Sequence, residues 1–410
     1  MKIGILTFHR AHNYGAFLQC LSLVSKLRKE FPNDRIEVID VNTKEMNDYY
    51  STKLVDMIFG RSNIINKNFR FMLSNAKQLL IKELHEPRYI KMKRKQAQLF
   101  IDALSYLPLS PDGRVFQNNS EIFNYINDLN YDLIVVGSDA IWNDFQTHRP
   151  NPYLLDSSVI PKKISYAASS YGMPYRELDE TQRNNAKLLI SQFSYIGVRD
   201  VETENYLKFI NLYNFQHTPD PSLFFPFEKY NTEEMNIVLK KKLADRGVDC
   251  SKDIYAIMGG NWLGKIARET IGEDSQLVAI YAQNKYANAY LYDLSPLEWA
   301  CVFQFFKATF TSFFHGTIFS LQNGTPTFTT EEKSSYGMKY ITKTKDLLTR
   351  LNLQDYYFSL NESDTLSKIK SQFEIIQSNP QEDRIREALE LERKKITSFL
   401  DYIRDLNIEL

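Results

Sequence analysis

The sequence predicts an α/β protein of two doubly wound halves with parallel sheets, closed by a C-terminal helix. Three observations predict it. Short apolar runs recur and alternate with amphipathic helical patterns, the rhythm of β-loop-α-β units. Each run ends in a polar or glycine-bearing cluster. A break at Thr218-Pro219-Asp220-Pro221 divides the runs into two series. At roughly 100 to 200 residues per domain, a chain of 410 residues accommodates this. The reading is two Rossmann-like domains, 1–215 and 216–380, facing a central cleft, with a terminal helix over 381–410.

The elements follow in order. Residues 2–8 form an apolar run that reads as a strand covered on both faces. After a polar loop, His9 to Gly15, the residues Phe17, Leu18, Leu21, Val24 and Leu27 mark a helix that stops before Pro32. Arg35 to Val41 is the next strand. Residues 43–128 break the rhythm and read as a helical insertion with a basic face. Between Arg61 and Phe100 the only acids are Glu83 and Glu86, against a run of Lys, Arg and His. Such a stretch is either a solvated face or a contact for an anionic surface. Tyr131–Val136, Ile164–Ala168 and Tyr195–Val198 resume the sheet. The second half supplies strands at Asp253–Met258, Gln276–Tyr281, Thr309–Thr311 and Thr327–Thr329. Ser295-Pro296-Leu297-Glu298 is a capping box with proline at the first helical position. Arg384 to Leu410 reads as one amphipathic helix.

Composition narrows the function classes. Lys+Arg and Asp+Glu number 50 each, which excludes a globally basic nucleic-acid binder. Three distant cysteines, Cys20, Cys250 and Cys301, without CxxC or Cys/His spacing, read as reduced thiols of a cytoplasmic protein. No signal peptide and no stretch of 18 apolar residues is expected at membrane depth. Nothing demands a metal or cofactor, and no Walker loop, dinucleotide fingerprint or nucleophile elbow is present.

Open α/β sheets bind ligands at the carboxyl ends of their strands. There the chain carries Asn13-Tyr14-Gly15, Gly137-Ser138-Asp139 with Trp142, Ser169-Ser170, Arg199-Asp200, and Ser312-Phe313-Phe314-His315-Gly316. His315 stands between a strand and a helix, where it can move a proton beside an anion held by helix N–H groups. The helix end by itself disfavours its protonated form, and an anionic substrate favours it. Arg199 suits bidentate binding of carboxylate or phosphate, or an ion pair with a neighbouring acid. Asn13-Tyr14-Gly15 either seats an anion or caps its helix.

Taken in order, these pieces resemble the polysaccharide pyruvyl transferase family. The resemblance is carried by Lys2-Ile-Gly-Ile-Leu-Thr7, Asn13-Tyr-Gly-Ala16 with Leu18-Gln19, Asp132 to Asp139 with Ile141-Trp142-Asn143, Ser165 to Ser169, Val198-Arg199-Asp200, Asp220-Pro221, and Ser295 to Trp299 leading to Thr311 to Gly316. It implies a GT-B-like fold and transfer of pyruvate from phosphoenolpyruvate onto two sugar hydroxyls, as a cyclic ketal with release of phosphate. It implies His315 as the acid that protonates the enol and Arg199 as an anion clamp. The remaining strand-end residues would line the substrates. Two departures stand out. Part of the family has arginine two residues before the histidine, where this chain has Phe313. An arginine expected after the last motif is replaced by Tyr336 to Tyr340, with Lys339 or Lys343 in its place as a point charge. The partners implied are phosphoenolpyruvate and a sugar acceptor of a cell-surface polysaccharide. The charge of the basic insertion, separately, suggests docking at the inner membrane face, near an acceptor on a lipid diphosphate. The alternatives are a nucleotide-sugar-dependent glycosyltransferase and a non-catalytic glycan-binding member.

Overall fold

A computed structural model describes residues 1–50, 87–143, 151–331, 340–359, 362–379 and 381–409. The first domain holds strands β1 (Lys2–Leu6), β2 (Arg35–Val38), β3 (Asn42–Thr43), β4 (Val115–Phe116), β5 (Leu133–Val136), β6 (Lys162–Ala168), β7 (Tyr195–Val198) and β8 (Gln216–His217). The second holds β9 (Ile254–Met258), β10 (Gln276–Ala279), β11 (Ala289–Tyr290), β12 (Ala308–Thr311), β13 (Thr327–Thr330) and β14 (Tyr357–Phe358). Two six-stranded sheets result, ordered β2-β1-β5-β6-β7-β8 and β11-β10-β9-β12-β13-β14, while β3 and β4 pair apart from them. Every ladder is parallel. The central strands are buried along their length, as the apolar runs require: all of β5 and all of β9. Strand order reverses between β1 and β5 and again between β9 and β12, so each sheet has one switch point that opens a crevice at its carboxyl edge.

The two switch points lie at one junction. The helix Tyr14–Glu30, which leaves β1, packs against the segment Pro221–Phe224 and the helix Pro296–Cys301. Tyr14 stacks on Trp299 with ring centroids 5.0 Å apart and planes 5° from parallel, and its hydroxyl donates to Leu294 O at 3.1 Å. A single apolar cluster continues from Ile3 and Ile5 through Phe17 and Leu18 into Ile254, Ile257 and Phe310. Such a shared core holds the halves together far more firmly than a polar domain contact would.

Several expectations need adjusting. β8 pairs with β7, so the first sheet runs through His217, past the expected boundary at 215. The helix Asn119–Asp128 is the ordinary crossover into β5, with Ile122, Phe123 and Ile126 buried, so the irregular stretch is shorter than 43–128. Residues 51–86, most of the basic stretch, and Lys339 lie outside the described residues. The described part, Pro87–Ala103, braces the domain junction: Phe100 packs on Tyr14 at 5.0 Å, and the Lys95 ammonium donates to Asp293 at 2.9 Å. The expected terminal helix is two, Glu382–Lys394 and Thr397–Glu409. The second returns to the first sheet, with Phe399 against Tyr166 and Tyr195 at 4.6 and 5.6 Å. The capping box at Ser295 forms with both of its hydrogen bonds.

Candidate active site

The site begins where β12 ends. Thr311 Oγ1 accepts the Phe313 N–H at 3.0 Å, and the helix Phe314–Gln322 starts at once. Gly316 is required by space: a Cβ there would lie 2.7 Å from Thr311 Oγ1 and 2.9 Å from Met258 Sδ. This tight turn sends the His315 ring across the junction into the first turn of Tyr14–Glu30. A Cβ at Gly15 would fall 1.9 Å from His315 Nδ1. One turn further along that helix, the Gln19 amide hydrogen-bonds His315 Nε2, and the Ser138 hydroxyl donates to Gln19 Oε1. Ser138 is held in turn, its carbonyl accepting from Thr7 Oγ1 at 3.0 Å.

Gly15→Ala tests this contact. Alanine is the better helix former, by about 0.5–1 kcal/mol. Forcing a methyl into an occupied site costs about 1–3 kcal/mol, so the clash wins. The expected result in urea denaturation is a net loss of stability; a variant as stable as the parent would show that the ring yields freely.

The electrostatics keep His315 neutral. Burial pushes its pKa down to about 3; Asp139 opposes this, while the charges of Lys343 and Arg199 add to it. The hydrogen bonds agree. With Gln19 Oε1 taken by Ser138, the amide N–H faces Nε2, so Nε2 accepts and the ring proton sits on Nδ1.

Arg199 follows β7 and is buried, 4% exposed. Burial works against its charge, but Asp220, Asp139 and Asp200 outweigh burial and hold the guanidinium charged. Its Nη1 donates to Asp220 Oδ2 at 2.7 Å. The other two contacts are looser: Nη2 lies 3.8 Å from Asp139 and Nε 4.0 Å from Asp200. Among the described residues, Nε and Nη2 therefore have no hydrogen-bond partner. They are the two donors of one fork edge, the geometry that grips a carboxylate or phosphate. Unpaired buried donors are costly and uncommon, which marks this edge as built for something else. The Phe314 ring carries two cations, the Arg199 guanidinium at 4.8 Å and the Lys343 ammonium at 5.5 Å, and Lys343 also sits 5.6 Å from the Tyr171 ring. Burial, then the repulsion of Arg199, lowers the Lys343 pKa, against the pull of Asp139, Asp200 and Asp220. Asp220 Oδ2 is 4.0 Å from His315 Nε2, so one carboxylate touches both the clamp and the imidazole.

The structure brings together His315, Arg199, Gly15, Ser138, Asp139, Phe314 and Gly316. Gly137 serves the turn: its φ is +132°, and a Cβ would meet Tyr166 O at 2.0 Å. Ser312 is half-buried beside Gly259, and Phe313 lies on Tyr281 at 4.4 Å. Four residues have other employment. Tyr14 is committed to the domain junction. Trp142 is 1% exposed in the core of the first domain, packed on Phe193. Ser169 Oγ accepts the Tyr171 N–H at 3.1 Å, and Ser170 is buried on Thr203. They read as ligand groups because they follow strands, but burial and local hydrogen bonds absorb them. Asn13 resolves to a helix cap, accepting from Ala16 N at 3.3 Å. Sequence reasoning quoted Gln19 and Asp220 among the family pieces without giving either a role, and named Lys343 only beside Lys339 as a stand-in for arginine. The signal for Gln19 was present: an amide in an apolar helix, four residues after Gly15 and so on the same face.

Two parallel-sheet domains sharing one apolar core, with a charged cluster at their junction and the chain crossing back at its end, define a GT-B-fold protein. Solved structures agree. A protein from Listeria monocytogenes assigned as UDP-N-acetylglucosamine 2-epimerase superposes with a TM-score of 0.55 at 11% identity, over 100% of this chain and 97% of its own. UDP-GlcNAc 2-epimerase from Neisseria meningitidis, bound to UDP-GlcNAc, gives 0.54 at 11%, over 97% and 100%. At such identity the likeness speaks for fold alone. No curated protein matches the sequence. The polysaccharide pyruvyl transferase family model matches residues 13–334, and the chain belongs to that family. Membership makes it a transferase of polysaccharide modification. Among the described residues, no helix is long and apolar enough to cross a membrane.

Proposed function

We propose that the protein moves pyruvate from phosphoenolpyruvate onto two hydroxyls of a sugar in a cell-surface polysaccharide precursor. One observation carries the reading: the unpaired fork edge of Arg199 and the Lys343 ammonium share the Phe314 ring, next to an imidazole. The donor carries two anionic groups, a carboxylate and a phosphate, and needs a proton at C3. Arg199 grips one anion bidentately and Lys343 meets the other as a point charge, in place of the arginine expected after the last motif. Donor charge reverses the bias on His315. It favours the imidazolium, which delivers a proton to C3 as C2 becomes electrophilic. The first hydroxyl attacks C2 and returns its proton to His315. The C2–O bond to phosphorus then breaks, and the second hydroxyl closes the ketal as its proton leaves with phosphate. Asp139 and Asp220 stabilise the imidazolium between these steps.

The acceptor is a sugar on a lipid diphosphate, and the enzyme works in the cytoplasm against the inner membrane face. Lys91, Lys93 and Arg94 are exposed on Pro87–Ala103 and supply the positive surface such docking uses. No cofactor enters the scheme.

Thermal stability with phosphoenolpyruvate, set against UDP, GDP and their sugars, tests the donor. A ligand at 100 times its Kd adds about 2.7 kcal/mol, a shift of a few degrees for a chain of this size. Stabilisation by phosphoenolpyruvate with phosphate release on adding acceptor is expected. Stabilisation by a nucleotide sugar alone would overturn the reading in favour of a glycosyltransferase.

A further inference from the structure

We infer that Gln19 is the positioning residue of His315, and that its amide, oriented by Ser138, fixes which ring nitrogen carries the proton. The inference deepens the proposed function and takes its catalytic meaning from it.

Gln19 is 1% exposed on a helix buried mainly through apolar side chains, among them Phe17, Leu18, Cys20 and Leu21. A buried amide is stable only when its hydrogen bonds are met. Here both ends are met by residues from different parts of the fold: Ser138, from the turn after β5, and His315, from the second domain. The Ser138 hydroxyl is a donor to Oε1, so the amide must offer N–H to Nε2. That arrangement selects the neutral imidazole with Nδ1–H. The imidazolium needs the opposite, with Nε2–H donating to Oε1. The amide must then turn over and donate its N–H to Ser138 Oγ, whose hydroxyl hydrogen rotates away. Gln19 thus has two satisfied orientations, one for each protonation state of the ring.

The charged groups facing the ring fit such a two-state arrangement. Asp139 comes from the first domain and Asp220 from the segment between the domains; both favour the imidazolium. Arg199, from the end of β7, and Lys343, from the helix Lys343–Arg350, oppose it. Without ligand the two signs offset, and burial leaves the ring neutral. The amide holds that state in one tautomer until an anion tips the balance.

Ring nitrogen shifts of the full chain with labelled histidine test this, the His315 signals being identified by their loss in His315→Asn. The parent is expected to show Nε2 as the unprotonated nitrogen, with the ring neutral above about pH 5. Gln19→Glu places a carboxylate on Nε2 and should raise the His315 titration midpoint by at least about 1–3 pH units. Gln19→Met, close in shape and unable to hydrogen-bond, should mix the two tautomers and slow phosphate release about tenfold or more, with the pH optimum displaced. A parent ring protonated on Nε2, or a Gln19→Met variant that keeps the parental tautomer, rate and pH profile, overturns the inference. If the tautomer shifts as expected while the parent never releases phosphate from phosphoenolpyruvate, the positioning role stands and the proposed reaction fails.

Discussion

Replacing His315 by alanine is expected to lower phosphate release from phosphoenolpyruvate and acceptor by about 10²- to 10⁴-fold, the span a positioned acid supplies. Donor binding should change little, since the anions meet Arg199 and Lys343. Activity within threefold of the parent would remove His315 from the proton path. The same variant should change how stability depends on pH. The imidazole stays neutral in the folded chain down to about 3, whereas an unfolded chain takes up the proton near about 6.5. Between those values the unfolded state binds more protons, so stability falls as pH falls. His315 alone costs the parent about 2 kcal/mol on going from pH 8 to pH 5, a loss that His315→Ala should not show. His12, held neutral by burial to about 4, contributes in the same direction in both proteins and cancels from the comparison.

Arg199→Ala should be the most destabilising change in the site. Asp220, Asp139 and Asp200 all depend on that guanidinium, and removing one partner of a buried ion pair costs about 3–5 kcal/mol. The variant is expected to lose that much in urea denaturation. Arg199→Lys keeps a charge among the carboxylates but loses the fork. It should fold and show a donor KM raised by about tenfold or more, because a hydrogen bond to a charged group is worth about 1.5–3 kcal/mol. An Arg199→Ala protein with parental stability would mean that the carboxylates find other partners. An unchanged donor KM in Arg199→Lys would remove the clamp.

The fold was legible because parallel sheets write themselves as apolar runs. Residues 254–258 and 133–136 are buried on both faces and could be read from hydrophobicity alone. The capping box at Ser295 was legible because it depends on residues three apart. The site was legible only in part. His315 and Arg199 declare themselves by chemistry and by their place after strands. Ser169, Ser170 and Asn13 stand in equivalent places, but each spends its polar atoms on neighbours within a few residues or one strand away. Trp142 and Tyr14 look like ligand platforms and are core. The residues that hold His315 were the hardest to find, since Gln19, and Ser138 behind it, lie 296 and 177 positions before it in the chain. No periodicity links such distant residues; only the packing of one domain on the other does.

The fit of the His315 ring over Gly15 has a consequence for descent. The two positions constrain each other although one lies in each half of the chain. A lineage that keeps imidazole at 315 can accept nothing but hydrogen at 15. One that gives it up releases that restriction, and alanine or serine can drift in. Residue 15 is then a witness to residue 315: in any descendant of this chain, a side chain at 15 would announce that the imidazole has moved or gone.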